Sequence, residues 1–194
     1  MYEYLKGRIS EINPSYAVVE NNGIGWFLNI SVNTYSRLKE GQECLLYLHH
    51  VVREDDELLY AFENKSERQI FRLLITVNGV GANTARTMLS TLTAEDIIHA
   101  IQTDNVGQLK SIKGIGMKTA QRIIVDLRDK ITEKSVMPDD KSVASDNTNE
   151  KEAFEALVML GFSKKQVQKA MEKVVAKQPD ASVEELVKLT LKQL

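Results

Sequence analysis

Apolar and polar positions change rhythm three times along the chain, and each change predicts a different kind of structure. The runs Tyr2 to Ser10, Tyr16 to Glu20, Gly25 to Val32, Glu43 to Arg53 and Leu58 to Phe62 are rich in Val, Ile, Leu and aromatic residues. Turn formers separate them at Asn13-Pro14-Ser15, Asn21-Asn22-Gly23 and Lys39-Glu40-Gly41, a pattern that predicts five short β-strands. Five such strands in about sixty residues predict a small closed barrel of the OB type. From about Asn64 the period becomes helical, with Arg68, Ile70, Phe71, Leu73, Leu74 and Val77 in step and a capped start at Thr93-Ala94-Glu95-Asp96. Between residues 133 and 149 large apolar groups almost vanish, which predicts a flexible linker. Helical spacing then returns in Ala153 to Leu160, Lys164 to Val175 and Ser182 to Leu191. The expected chain is therefore multidomain, with a barrel over 1–63, an all-α domain over 64–132, a linker over 133–149 and a small three-helix domain over 150–194.

The middle domain contains an internal repeat. Asn78-Gly79-Val80-Gly81-Ala82-Asn83-Thr84-Ala85 is echoed 35 positions later by Lys113-Gly114-Ile115-Gly116-Met117-Lys118-Thr119-Ala120. In both copies an apolar run precedes Gly-aliphatic-Gly and a helical pattern follows, which predicts two units of helix, tight hairpin, helix. Glycine supplies the positive φ and close backbone approach of so short a turn, and the aliphatic residue plugs the gap beneath. The N–H groups of Gly81 to Thr84 and of Gly116 to Thr119 are then left unpaired at the positive end of a helix dipole, which suits an anion. Two copies on one compact unit can hold neighbouring phosphates, or both strands across a minor groove, without reading a base.

Other uses of the glycines do not fit. A nucleotide phosphate loop requires Gly-x-x-x-x-Gly-Lys-Thr behind a strand, whereas Lys118-Thr119 follows Gly114-x-Gly116-x behind a helical run. A dinucleotide fold requires a third glycine and a βαβ context. The phrase matches the helix-hairpin-helix motif of DNA-binding proteins.

A net charge of −2 looks unsuited to DNA until it is divided by region. Residues 1–63 hold 5 basic against 10 acidic side chains, while residues 64–132 hold 10 against 6. The positive charge thus sits with the hairpins, where phosphate attraction needs it. Lys118 and Arg122, four apart on the helix after the second hairpin, can lean on one phosphate track, with a solvated or salt-bridged surface position the alternative for Arg122. The single Cys44 excludes a disulfide framework within the chain and suits a reducing cytosol. The sequence has neither a membrane-spanning apolar run nor a signal-peptide pattern, so a cytoplasmic protein is expected.

Arg53-Glu54-Asp55-Asp56-Glu57 places four acids in a row between two apolar strands. Two readings stand: a solvated turn, or a tip that repels phosphates beside bound DNA. Catalytic groupings are lacking, since His49, His50 and His99 have no metal-ligand spacing and the contiguous acids diverge on a turn. Neither a cofactor nor a metal is expected. A structure-specific nuclease anchored by the same hairpins is the alternative from another class, and a protein-interaction adaptor with idle hairpins is a third.

Taken together, His50-Val51-Val52-Arg53-Glu54-Asp55, Leu58-Leu59-Tyr60-x-Phe62, the two glycine hairpins, the linker and the Leu157-x-x-Leu160-Gly161-Phe162 tail resemble the RuvA family along the whole chain. RuvA proteins are the Holliday-junction recognition subunits of the bacterial branch-migration complex. The resemblance implies a homotetramer, with an octamer as the alternative, that holds an open four-way junction for recombination and DNA repair. It implies a UBA-like tail that binds and modulates the RuvB motor, with the RuvC resolvase as a further partner, and no catalysis by this chain. The implied phosphate contacts are Gly79, Gly81, Asn83, Thr84, Gly114, Gly116, Met117, Lys118, Thr119 and Arg122. The family's acidic pin falls on Glu54 and Asp55, and the motor-binding candidates are Leu157, Leu160, Phe162 and Leu191. Asn83 departs from the pattern, standing where family members can carry lysine. Asp56 and Glu57 lengthen the acidic tip, which leaves open which two acids form the pin.

Overall fold

The computed structural model describes residues 1–133, 148–176, 178–179 and 181–194. The described residues fall into two compact units, divided between positions 139 and 140. Most of the linker expected over 133–149 lies outside the described residues.

In the first unit, strands β1 (Tyr4–Asn13), β2 (Tyr16–Asn21), β3 (Ile24–Asn29), β4 (Glu43–Val52) and β5 (Glu57–Phe62) close into a barrel in the order β1-β2-β3-β5-β4. The pairings are antiparallel except β3 with β5, which run parallel at Asn29 and Tyr60. Side chains alternate along each strand. That alternation turns Ile9, Ala17, Val19, Leu28, Leu46 and Leu48 into the barrel core.

A four-residue helix α1 (Val32–Tyr35) between β3 and β4 was not expected from the sequence. Its N-cap Ser31 and its Thr34 donate to the carboxylate of Glu67 at 2.6 and 2.9 Å. All three are buried, and burial pushes the Glu67 carboxyl up while the two hydroxyl donors oppose the shift.

Five helices follow: α2 (Lys65–Leu74), α3 (Ala82–Thr91), α4 (Ala94–Gln102), α5 (Val106–Lys110) and α6 (Met117–Glu133). Asn64 caps α2 through Glu67 N–H, and Thr93 with Asp96 forms a reciprocal capping box on α4. Strand β5 joins the barrel to these helices, because its Tyr60 and Phe62 are buried in the helical core among Phe71, Leu74, Met88 and Ile123. The Phe71 ring lies 5.0 Å from Tyr60 and 4.9 Å from Phe62. Such aromatic pairs contribute about 0.5–1.5 kcal/mol each beyond the area they bury. Polar ties reinforce the joint: Arg68 donates to the Glu3 carbonyl at 2.8 Å, Asn33 to that of Leu89 at 2.7 Å and Arg86 to that of Ser15 at 3.0 Å.

The second unit contains α7 (Thr148–Met159), α8 (Lys164–Val175) and α9 (Val183–Leu191) around Ala153, Leu157, Val167, Met171, Val174 and Leu186. Gly161, with φ +101°, ends α7, and the Phe162 N–H reaches the Leu157 carbonyl across it at 3.4 Å. Ser163 caps α8, and Ser182 with Glu185 forms a capping box on α9.

Candidate nucleic-acid interface

The two glycine phrases fold alike, bond for bond. Val80 N–H donates to the Val77 carbonyl at 3.0 Å, and Ile115 N–H to that of Ile112 at the same distance. The next bonds, Ala85 to Gly81 and Ala120 to Gly116, both measure 2.9 Å. Val80 and Ile115 are buried beneath their turns as the expected plugs.

The glycines divide the work differently from the expectation that all serve the turn. Gly79 and Gly114 take φ of +92° and +93°, where an L side chain is strained. Gly81 has φ −85° and ψ 170°, and Gly116 has no positive φ either. A Cβ built on Gly81 or Gly116 meets no protein atom within 4 Å. The fold itself therefore does not require glycine at 81 or 116; the missing side chains leave open space at the starts of α3 and α6.

Gly81 is the N-cap of α3 and makes no side-chain cap, so the first-turn N–H groups of that helix face outward with the positive end of its dipole. In the register of the repeat, Ala82, Asn83 and Thr84 correspond to Met117, Lys118 and Thr119. Thr84 and Thr119 are half-buried in both copies, and Asn83 and Lys118 are exposed. Ala82 is buried, whereas its counterpart Met117 is 49% exposed at the mouth of the second hairpin.

Two side chains do something that spacing alone did not indicate. Arg122 donates from Nη1 to the Asn78 carbonyl at 3.2 Å, which ties the helix after the second hairpin to the turn of the first. The Asn83 Oδ1 accepts from the Tyr60 hydroxyl at 3.0 Å. Tyr60 lies on β5 with its ring in the core, and burial pushes its phenol up, so the hydroxyl stays protonated and able to donate. A buried tyrosine needs a partner for its hydroxyl, which is the one sequence-level hint of that contact.

At the acidic turn, β4 ends at Val52 and β5 begins at Glu57, which pairs with Val52. Arg53 N–H donates to the Asp56 carbonyl at 2.8 Å, leaving Glu54 and Asp55 as the two apical residues. Glu57 is a strand residue whose Oε2 lies 3.4 Å from His50 Nε2. All four acids are exposed.

Comparison with known proteins fits this geometry. The RuvA N-terminal domain model matches residues 1–61, a SAM-like helix-hairpin-helix tandem matches 71–129, and the RuvA C-terminal domain matches 148–194. The chain is 46% identical over 194 residues to a Christiangramia forsetii protein, with the whole of both chains covered. That relative bears the name Holliday junction branch migration complex subunit RuvA. This chain belongs to the RuvA family. Relatives of the same name in Flavobacterium psychrophilum and Bacteroides fragilis are 46% and 44% identical, again over the full length of each chain.

The four tail candidates of the RuvA C-terminal domain separate by exposure. Leu157 is fully buried and serves the core, and Phe162 packs half-buried against it. Leu160 and Leu191 are 62% and 40% exposed, and Met159, which spacing did not single out, is 88% exposed. An open groove of about 770 Å³ runs beside α7 and α8, lined by Phe154, Met171 and Val175. Among the described residues, no group of three or more His, Cys, Asp or Glu is placed to hold a metal ion, and no helix is long and apolar enough to cross a membrane.

Proposed function

We infer that this chain is the junction-recognition subunit of a branch-migration machine. It binds four-way DNA, holds it open, and recruits and stimulates a RuvB ATPase motor during recombination and repair. The observation that carries this reading is the duplicated hairpin, with its matched bonds and empty space at Gly81 and Gly116, in a chain whose relatives are named for Holliday-junction branch migration.

Phosphate oxygens approach the outward N–H groups of α3 and α6, and the absent side chains at Gly81 and Gly116 permit the close approach. Gly79 and Gly114 set the turns; Asn83, Thr84, Met117, Lys118 and Thr119 line the sites, and Arg122 braces one hairpin against the other. Contacts of this kind fix register without reading sequence. Glu54 and Asp55, at the apex of their turn, repel phosphates and part the strands where the arms meet. A homotetramer matches four subunits to four arms.

In this reading the domains divide as 1–63, 64–132, 133–149 and 150–194. The tail meets the motor through its exposed apolar side chains, Leu160 and Leu191 with Phe162 beside them. The chain is a non-catalytic cytoplasmic protein, and ATP hydrolysis belongs to the motor.

The test mixes the purified chain with a labelled synthetic four-way junction and Mg²⁺, with and without RuvB and ATP. Stimulated ATP hydrolysis and dissociation of the junction into forked products, only when RuvB is present, are expected. Cleaved strands from the chain alone would replace this reading with a nuclease.

A further inference from the structure

The two hairpins are built alike but equipped differently. Position 83 of the first corresponds to position 118 of the second, both two residues after the second glycine, yet one carries a carboxamide and the other an ammonium. A free asparagine side chain swings between presenting its oxygen and its nitrogen. Here Oδ1 is occupied by the Tyr60 hydroxyl at 3.0 Å, which leaves the two N–H donors of Nδ2 for another partner, on an exposed residue two positions beyond the open space at Gly81.

We propose that Tyr60 is a positioning residue for the first hairpin: its hydroxyl fixes the Asn83 carboxamide with Nδ2 as the phosphate-facing donor, in place of a cation at that position. The proposal rests on the phosphate-binding reading above and adds a division of labour to it. The first hairpin holds its phosphate by oriented dipoles, and the second by N–H groups plus the Lys118 charge.

The anchor is rigid where it has to be. Tyr60 pairs with His49 across β4 and with Asn29 across β3, and its ring lies tilted against that of Phe71 of α2, with centroids 5.0 Å apart. It also lies three residues along β5 from Glu57 at the base of the acidic turn. At the usual strand rise that is about 10 Å, so one strand carries both the base of the acidic turn and the residue that anchors Asn83. A lysine on a flexible stem would supply charge without that fixed geometry.

The test measures affinity of the full-length chain for a synthetic four-way junction over a range of salt concentrations. Tyr60→Phe keeps the ring packing and removes the hydroxyl, and binding is expected to weaken roughly fivefold to tenfold, on the scale of a lost hydrogen bond. Asn83→Ala should weaken binding similarly, and adding Tyr60→Phe to it should cost nothing more. Asn83→Lys should rescue Tyr60→Phe and steepen the salt dependence by about 0.9 in the log–log slope, the signature of one more cationic phosphate contact. Asn83→Asp keeps the acceptor for Tyr60 but sets a negative charge at the site, and should bind less tightly than Asn83→Ala.

Unchanged binding by Tyr60→Phe, or an equal loss in the Asn83→Ala background, would overturn the proposal. Lys118→Ala serves as the control: if it weakens binding while Tyr60→Phe does not, only this proposal fails. If the wild-type chain shows no junction binding, the phosphate reading fails with it.

Discussion

Arg122 Nη1 lies 3.2 Å from the carbonyl oxygen of Asn78, so a side chain after the second hairpin closes onto the backbone turn of the first. A side chain thereby ties the two copies of the repeat together. Lys118, one turn earlier on the same helix, is exposed two residues beyond Gly116. Lys118→Ala should weaken DNA binding and reduce the log–log salt slope by about 0.9. Arg122→Ala should weaken binding severalfold with a smaller change in slope, because it removes a brace. Salt titrations of both variants separate the two roles, and equal slope changes would make Arg122 a direct phosphate contact instead.

The paired glycines should fail in different ways. Gly79→Ala forces an L residue to φ +92° and should cost about 1–2 kcal/mol of stability, read as a lower Tm. Gly81→Ala adds a methyl where no protein atom lies within 4 Å, and should leave Tm nearly unchanged while weakening junction binding about tenfold. A Gly81→Ala protein that binds DNA like the wild type would show that the space above α3 is not where phosphate sits.

Neutralising the apex of the acidic turn, Glu54→Gln with Asp55→Asn, removes two negative charges that the proposed function sets beside the DNA. Duplex affinity should rise and the preference for a four-way junction should narrow. Competition between labelled junction and unlabelled duplex measures both at once. An unchanged preference would make the apex a solvated turn.

Glu67 should give the first unit a pH-dependent stability. Its folded pKa is raised above the ordinary 4.5 by burial, so the folded state holds its proton more tightly than the unfolded chain. The associated stability is full below the ordinary value and is lost as pH rises from 4.5 through the raised folded value. Thermal unfolding of the full chain across that window should show Tm falling, and Glu67→Gln should flatten the fall. Parallel curves for variant and wild type would assign the trend to other groups.

The repeat was legible in the sequence because both copies use the same residue types for the same local reasons: a positive-φ turn, a buried aliphatic plug and a helix start. Strand and helix rhythms were legible for a similar reason, since alternation and helical period report burial directly. The short α1 with its Ser31, Thr34 and Glu67 cluster was not, because Glu67 lies more than thirty positions from the two hydroxyl residues it joins and leaves no periodic trace. The brace from Arg122 to Asn78 and the Tyr60–Asn83 bond were hidden likewise, since each joins side chains to elements far along the chain. In the tail, helical spacing marked Leu157 and Leu160 alike, and only the turn at Gly161 separates the buried one from the exposed one.

The most direct test of the central claim is a titration of the full-length chain against a synthetic four-way junction and a linear duplex of the same arm sequence, followed by fluorescence anisotropy with Mg²⁺ present and no partner. Two phosphate-gripping hairpins beside a charged apex predict strong preference for the junction, insensitivity to arm sequence and steep weakening with salt. Equal, weak binding to both forms would reduce the hairpins to a generic DNA anchor and contradict the account.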